Sequence, residues 1–501
     1  MVSVMMCVSK VLLFFASAII TCASAKNIVL IIADDLDSVL DGMSPLAYTQ
    51  RLIANEGVTF KNAFTASPIC CPNRASILTG RYQHNHGTYN NSLEGGCYSS
   101  TWQRDHEPNT FAAILKQQMK YKTFYAGKYL NKYGQRNGVS RVPPGWDKWY
   151  GLIGNSRYYD YSLSVNGAEK KYGSSPTDYL TDVIQGFAID FLKTQKKDQP
   201  FLMVLAPPAP HEPFIPAPRH NDRYKGTKAK RTKNFNTSSQ RDKHWLVRRG
   251  PSALPDSVVT KLDDIYRKRW ESLLAVDELV QKVYSQLKSQ NLLDDTYIIF
   301  TSDNGFHIGQ FSLPYDKRQP YETDIKIPLM IRGPNITRMT EVKSAVSSVD
   351  LFATILEIAG VERPSDGVSL LGASNINDRT VLIEYKGERS TTVQNTGCPA
   401  DDADLNLSHC DKNFACKCQD VANNTFTCVR RVATHYDNVF CLFAEDEEFV
   451  ESYDMLHDEF QMDNIGPDMN RGQRYRFRKR VKKMSICRDR TCIATNPPLN
   501  H

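Results

Sequence analysis

The residues best suited to chemistry lie in the run Cys70, Cys71, Pro72, Asn73 and Arg74, followed by Leu78, Thr79, Gly80 and Arg81. A thiol stands one helical turn before an arginine, and the proline between them suits the first turn of a helix. A helix starting near Pro72 would aim its N-terminus at residue 70 and, with Arg74, help hold an anion there. The plain alternative for Cys70 is a disulfide, with Cys71 or with another cysteine. Asp34 and Asp35, and again Asp303 and Asn304, offer hard oxygen ligands of the kind Ca2+ and Mg2+ prefer. The ordinary alternative for adjacent aspartates is a helix cap or a surface turn. No thiol or imidazole cluster points to zinc, because the late cysteines lack paired C-x-x-C spacing. Lys128, His211 and Lys317 each follow a predicted strand or neighbour a motif. Taken singly, such a lysine is more often solvated and such a histidine more often structural.

These groups meet only if the segments before them lie side by side. Residues 27–33 form a short apolar, β-branched run that reads as a fully buried parallel strand and ends in the two aspartates. Residues 201–206 form a second such strand, stopped by Pro207 and Pro208, with His211 beyond it. Residues 297–300 form a third and lead into Thr301, Ser302, Asp303, Asn304 and Gly305. Residues 123–126 predict a strand before Lys128, and 325–331 and 381–383 add two more to the same sheet. Helices are predicted over 45–55, over 109–119 with Asn109 as cap, and within 258–290, the longest helical pattern. Strands alternating with helices argue an α/β fold with a doubly wound sheet. The polar clusters follow the C-terminal ends of strands, where such sheets bind ligands. Beyond about residue 375 the texture changes, giving a division into 1–25, a catalytic domain over 26–375 and a C-terminal subdomain over 376–501.

A chain of 501 residues with 41% hydrophobic and 23% charged residues excludes wholesale disorder and a fibrous repeat. A net charge of +7 does not demand a nucleic-acid partner. Lys10, an apolar run over 11–20 and the small residues Ala23, Ser24 and Ala25 read as a secretory signal peptide over 1–25. That run is short for a membrane span, and no later segment approaches one. Sequons at Asn90, Asn236, Asn335, Asn406 and Asn423 agree with export. Thirteen cysteines favour an oxidising compartment. Removing Cys7 and Cys22 with the leader leaves eleven, an odd number, so setting Cys70 aside restores parity. Eight of the rest lie beyond residue 397, with Cys487 and Cys492 the natural local pair. Residues 219–249 and 471–490 are strongly basic; each is a solvated face or part of a groove for a polyanion.

The pattern Cys70, Pro72, Arg74 and then Leu-Thr-Gly-Arg resembles the signature of the sulfatase family. The resemblance implies an alkaline-phosphatase-like α/β fold with a doubly wound mixed sheet and a smaller, disulfide-rich C-terminal subdomain. It implies that Cys70 is oxidised during export to formylglycine by the formylglycine-generating enzyme. It also implies one Ca2+, held by Asp34, Asp35, Asp303, Asn304 and the residue at position 70. By the same match Lys128 and Lys317 hold sulfate, Arg74 supports residue 70, and His211 protonates the leaving alcohol. The hydrated aldehyde attacks sulfur and later eliminates sulfate, which a serine ester could not do. Many members place a histidine two residues after the lysine matched by Lys128, as the base for that elimination. Here the position is Leu130, so His307 becomes the first candidate, with His84 and His86 as others for base or sugar contact.

Segments 37–42, 90–95, 127–131 and 243–246 are similar to the branch of the family that acts on 6-O-sulfated glucosamine. So are 301–305, 316–318 and Cys416, Lys417 and Cys418. This implies the 6-O-sulfate of N-acetylglucosamine units in heparan or keratan sulfate as substrate, with His84, His86 and His244 on the sugar side. It places the protein in the secretory pathway, lysosomal or secreted, with no nucleic-acid partner and no membrane span. Two other readings stay open. One is a sulfatase for small aryl or plant-derived, glucosinolate-type sulfates, because pocket loops set specificity. The other is a non-catalytic secreted glycosaminoglycan-binding protein that uses the basic stretches.

Overall fold

The computed structural model describes residues 26–135, 138–237, 241–372, 376, 378–388, 398, 407–444 and 449–493. The leader over 1–25 and the sequon at Asn406 therefore lie outside the described residues. In chain order the strands are β1 (Asn27–Ala33), β2 (Val58–Phe64), β3 (Lys122–Lys128), β4 (Lys148–Leu152), β5 (Ser162–Val165), β6 (Ala168–Lys171), β7 (Phe201–Ala206) and β8 (Thr296–Ser302). They continue as β9 (His307–Ile308), β10 (Tyr315–Asp316), β11 (Lys326–Ile327), β12 (Leu329–Arg332) and β13 (Thr340–Ser347). The last four are β14 (Thr380–Tyr385), β15 (Phe426–Ala433), β16 (Tyr436–Phe443) and β17 (Val450–Asp454).

The main sheet has 11 strands in the order β11-β2-β12-β8-β1-β7-β3-β4-β5-β6, with β13 beside β2. Its centre, β8-β1-β7-β3-β4, is parallel. The run NIVLIIA forms β1 because every side chain after Asn27 finds an apolar neighbour. Ile28, Leu30 and Ile32 enter one core, and Val29, Ile31 and Ala33 the other. The first face is covered by the helices Cys70–Thr79, Phe111–Met119 and Asp350–Ile358. The second is covered by Leu180–Lys193 and by Asp256–Ser289, a helix of 34 residues. This is a mixed α/β sheet wound on both faces, as expected.

Several boundaries differ from expectation for local reasons. The helix expected over 109–119 is Phe111–Met119, and its cap is Thr110, whose hydroxyl accepts from the Ala113 amide at 3.4 Å. Pro328 divides the strand expected over 325–331 into β11 and β12, both antiparallel to β2. Residues 381–383 do not join the main sheet. They lie in β14, the first strand of an antiparallel sheet β14-β15-β16-β17. The helix Arg471–Met484 packs on this second sheet. Phe477 stacks on Phe440 at 4.8 Å, and Val481 and Met484 complete the contact.

Five disulfides tie the chain: Cys71–Cys97, Cys398–Cys416, Cys410–Cys418, Cys428–Cys441 and Cys487–Cys492. Four of them lie in the C-terminal part, including the local pair expected at its end. Bridges at this density belong to a secretory, oxidising compartment. Among the described residues no helix is long and apolar enough to cross a membrane.

Candidate functional site

Parallel pairing of β1 with β8 sets Ala33 opposite Ser302, so the residues just beyond both strands emerge together. The Asp35 amide donates to Asp303 Oδ1 at 3.0 Å, and Asn304 Nδ2 donates to Asp35 Oδ1 at 2.7 Å. On the other side of β1, the turn after β7 brings in His211, and β3 ends at Lys128. Cys70 is the first residue of the helix Cys70–Thr79, and Ile69 before it is extended. Its Sγ lies 3.8 Å from an oxygen of Asp34 and 3.8 Å from one of Asp35.

Cations interleave with these acids. Lys128 Nζ donates to both oxygens of Asp34 at 2.9 Å. Lys317 Nζ donates to Asp35 Oδ2 at 2.6 Å, and Arg74 Nε to Asp303 Oδ2 at 2.8 Å. Arg74 also donates to the Lys128 carbonyl at 2.8 Å, which joins the helix to β3. His211 Nδ1 donates to the Glu212 carbonyl at 2.6 Å, and its Nε2 stands 3.8 Å from Asp35 Oδ2. A ring nitrogen of His211, the Cys70 sulfur and oxygens of Asp34 and Asp35 all lie within 4.8 Å of one another. All nine of Asp34, Asp35, Cys70, Arg74, Lys128, His211, Asp303, Asn304 and Lys317 are buried.

Burial and pairing set the protonation states. Burial pushes the Cys70 thiol up to about 12, against the pull of Lys128 and Lys317. At neutral pH it is therefore a thiol and a poor nucleophile. Burial opposes ionisation of Asp34, yet Lys128, His211 and Arg74 hold its carboxyl well below the usual range. Asp35 is lowered likewise, burial being overcome chiefly by Lys317. Burial raises Asp303 to about 6 despite Arg74, leaving it ionised at neutral pH. Burial lowers His211 to about 4, against Asp34 and Asp35. The cluster thus holds three carboxylates against three permanent cations, with a neutral imidazole beside them.

The donor set fits a metal ion. Asp34, Asp35, Cys70 and His211 converge, and the Asn304 amide oxygen is buried without a hydrogen-bond partner. Carboxylate and amide oxygens in such number suit a hard divalent cation.

Groups that the sequence reading missed hold this arrangement in place. The Ser156 hydroxyl donates to Asp34. Arg269 donates to the carbonyls of Asp35 at 2.7 Å and Pro210 at 3.2 Å, under the Phe306 ring. Asn73 donates to the Asp303 carbonyl, and its own oxygen accepts from the Ala66 amide at 3.0 Å. Arg269 had a legible signal: it interrupts the apolar stripe of Leu262, Tyr266 and Leu273 on the longest helix. Ser156 and Asn73 had none.

The other histidines are engaged elsewhere. His307 donates from Nδ1 to Asp324 at 3.0 Å and from Nε2 to Gln419 Oε1 at 2.9 Å. The Gln419 amide nitrogen is turned to the Tyr315 carbonyl, so Oε1 must accept. Against burial, Asp324 raises His307, which favours an imidazolium with no lone pair for a base. His84 bridges Glu384 at 2.8 Å and the Cys487 carbonyl at 2.7 Å, tying the C-terminal part to the main sheet. His86 Nε2 meets the Ser76 hydroxyl at 3.0 Å, and its Nδ1 accepts from the Thr88 amide at 3.1 Å. His244 is buried and stacked on Phe443 at 4.5 Å. None of the four has a contact with Cys70 or its acids among the described residues. Of the sequons, Asn335 and Asn423 are exposed and Asn90 is half-buried. The Asn236 amide is engaged with the backbone of Leu254, donating at 3.1 Å and accepting at 2.6 Å.

A family model described as Sulfatase matches residues 26–361. The human protein named N-acetylglucosamine-6-sulfatase is 45% identical over 477 residues, spanning 93% of this chain and 85% of that one. An extracellular sulfatase SULF-1 homolog of Drosophila melanogaster is 39% identical over 74% of this chain but only 34% of its own. Among solved structures, a protein complexed with its substrate D-glucosamine-2-N,6-O-disulfate superposes with TM-score 0.71 at 22% identity, covering 95% of this chain and all of that one (100%). The phosphonate monoester hydrolase of Agrobacterium radiobacter superposes with TM-score 0.67 at 18% identity, covering 93% and 97%. These two likenesses establish the shared alkaline-phosphatase-like fold.

Proposed function

The chain belongs to the sulfatase family, and from that premise we propose that it removes the 6-O-sulfate from N-acetylglucosamine units of heparan or keratan sulfate. The supporting observation is a lone buried thiol at a helix N-terminus, ringed by paired acids and cations. The substrate follows from 44–45% identity to N-acetylglucosamine-6-sulfatases over nearly the whole chain.

As a thiol Cys70 is poorly suited to attack, which favours its conversion to formylglycine. The hydrate of that aldehyde supplies one hydroxyl to attack sulfur and a second whose deprotonation releases sulfate. Asp34, Asp35, Asp303 and Asn304, with residue 70, would hold a single Ca2+, which when bound supplies Lewis-acid neutralisation of the sulfate. Lys128 and Lys317 flank residue 70 and present ammonium groups to sulfate oxygens, stabilising charge that moves toward the leaving oxygen. Arg74 fixes Asp303 and the end of β3. The Glu212 carbonyl holds the Nδ1 proton of His211, so Nε2 is the position that exchanges protons. Nε2 takes the proton of the attacking hydroxyl and gives it to the departing sugar oxygen. With Leu130 apolar and His307 fully bonded, the same Nε2, now a lone pair, is the imidazole base nearest residue 70 for the second step. We place the enzyme in the secretory pathway, lysosomal or secreted, in keeping with its disulfides.

The test compares kcat/KM for a terminal 6-sulfated glucosamine, an aryl sulfate and a plant thioglucoside sulfate in one buffer. The sugar should lead. A small ester that clearly outruns it overturns the substrate assignment and leaves sulfate ester hydrolysis standing. No turnover of any ester would favour the non-catalytic glycan-binding reading.

A further inference from the structure

The two basic stretches have different fates in the fold. In the first, over residues 219–249, four of the eleven lysines and arginines pair with a carboxylate among the described residues, and most of the others lie along an irregular loop rather than on one helix face. Arg219 pairs with Asp182 at 2.7 Å and with Glu278 at 2.5 Å. Lys230 pairs with Asp41 at 2.9 Å, Arg231 with Asp263 at 2.8 Å, and Lys243 with Asp242 at 3.0 Å. The second stretch is built otherwise. The helix Arg471–Met484 carries eight lysines and arginines in 14 residues and no acid. Phe477, Val481 and Met484 bind one side of it to the second sheet. Arg471, Arg476, Lys479, Lys482 and Lys483 are exposed, and among the described residues none is paired with a carboxylate.

Helical geometry gathers these side chains. Positions 471, 475, 479, 482 and 483 follow the i, i+4 spacing of one face. The stripe runs about 18 Å, at roughly 1.5 Å per residue. Tyr475, 65% exposed, stands within it. A row of like charges costs self-repulsion, and only a polyanion would relieve it along its whole length.

We propose that this helix face is a second binding surface, for a sulfated polysaccharide chain, separate from the catalytic cleft. Its C-terminal end is anchored where the Cys487 carbonyl accepts from His84 and Asn85. His84 and Asn85 follow the C-terminal end of the Cys70–Thr79 helix, whose ten residues span about 15 Å from Cys70. The surface therefore holds a chain without touching the reacting group. An anionic bilayer fits less well, because Phe477, Val481 and Met484 are committed to the sheet and leave only Tyr475 as a large exposed side chain of the helix that could insert. The choice of a sulfated glycan over another polyanion rests on the sulfated-sugar reading of the active site; the unpaired charge does not.

The experiment uses the full secreted enzyme and heparin as probe, with desulfated heparin and phosphatidylserine–phosphatidylcholine vesicles as comparisons. One variant combines Arg471→Gln, Lys479→Gln, Lys482→Gln and Lys483→Gln, because glutamine keeps helix propensity. A control removes equal charge from the other stretch: Arg223→Gln, Lys225→Gln, Lys228→Gln and Lys233→Gln. The helix variant should bind heparin about tenfold more weakly at physiological salt, with a shallower salt dependence. The control should change little, and all three proteins should hydrolyse a monosulfated substrate equally. Should the quadruple variant not be secreted, the Lys482→Gln/Lys483→Gln pair makes the same comparison. Equal losses in variant and control, undiminished binding by the helix variant, or tighter binding to vesicles than to heparin overturns the proposal. Helix-dependent heparin binding without hydrolysis of 6-sulfated glucosamine would instead sink the substrate assignment and leave this surface intact.

Discussion

Removing the Asp34 charge separates the two roles its carboxylate can play, as ion-pair partner and as metal ligand. Although Asp34 follows a strand end, it and Lys128 are both 0% exposed, and Lys128 reaches both Asp34 oxygens at 2.9 Å. Asp34→Asn strands a buried ammonium, which costs roughly 3–5 kcal/mol. That is a large share of the roughly 5–15 kcal/mol that holds a domain folded. Lys128→Met should cost less, since Arg74 remains 3.5 Å from Asp34. In the double variant neither charge is stranded, so the total should fall short of the sum by about 2–3 kcal/mol. The assay is urea unfolding of all four proteins with chelator present, repeated in excess Ca2+. Wild type and Lys128→Met should gain stability with Ca2+ through mass action, and both proteins lacking the Asp34 carboxylate should gain far less. Additivity within about 0.5 kcal/mol would refute the ion-pair account. An undiminished calcium gain in Asp34→Asn would refute the ligand account.

Three further outcomes are expected. Peptide mass spectrometry of enzyme secreted from eukaryotic cells should find an aldehyde at position 70 in place of the thiol, and Cys70→Ser should bind substrate without repeated turnover; an unmodified thiol in fully active enzyme refutes the nucleophile. Ser156→Ala, which removes one hydroxyl from Asp34, should weaken calcium-dependent stabilisation and activity together by about tenfold, as loss of a group supporting a ligand does; a change in activity alone would deny it that supporting role. Burial opposes protonation of His84, but Glu384 and the Cys487 carbonyl raise its folded pKa, as Asp324 raises that of His307; their stabilisation is complete below about pH 6.5 and is lost as pH rises through the higher folded values, so the melting temperature should fall over that window and His84→Gln should flatten the fall. A melting temperature that rises over the window would contradict the sign.

The legible part of the fold was the part with strong local signal. Phe201–Ala206, and Asn27–Ala33 after its first residue, are apolar at every position because both faces of the central sheet are covered, and the sequence marks such strands by continuous apolar runs. Strand β13, by contrast, reads TEVKSAVS with half its length accessible, and it becomes a strand only by pairing parallel to β2, nearly 300 residues earlier. Acids and bases that follow legible strands lie together in the fold, because parallel register brings strand ends together. Histidines were read with less success, because a histidine's role is fixed by its partners. Those of His84 lie 300 and 403 residues away, and Gln419 lies 112 residues from His307. Nearness in sequence to a reactive motif says nothing about such distant acceptors.

The same electrostatics explain why a fold would bury three carboxylates and three cations at its active centre. Each acid has its own partner: Asp34 with Lys128, Asp35 with Lys317, Asp303 with Arg74. Isolated, any one of these charges would cost several kcal/mol to bury; paired, the set stands near neutrality. On the proposed reading, a divalent cation held by the same oxygens would tip the cluster positive and give the lysine ammonium groups a reason to turn from their carboxylates toward an anion. A sulfate ester beside residue 70 would then restore the balance, with its leaving oxygen next to the His211 Nε2. The paired groups of the cluster would on that reading also bind the substrate, and Ser156, Asn73 and Arg269 touch the acids or their backbone and so hold them in position. The site is preorganised because its charges are held by one another before any ligand arrives.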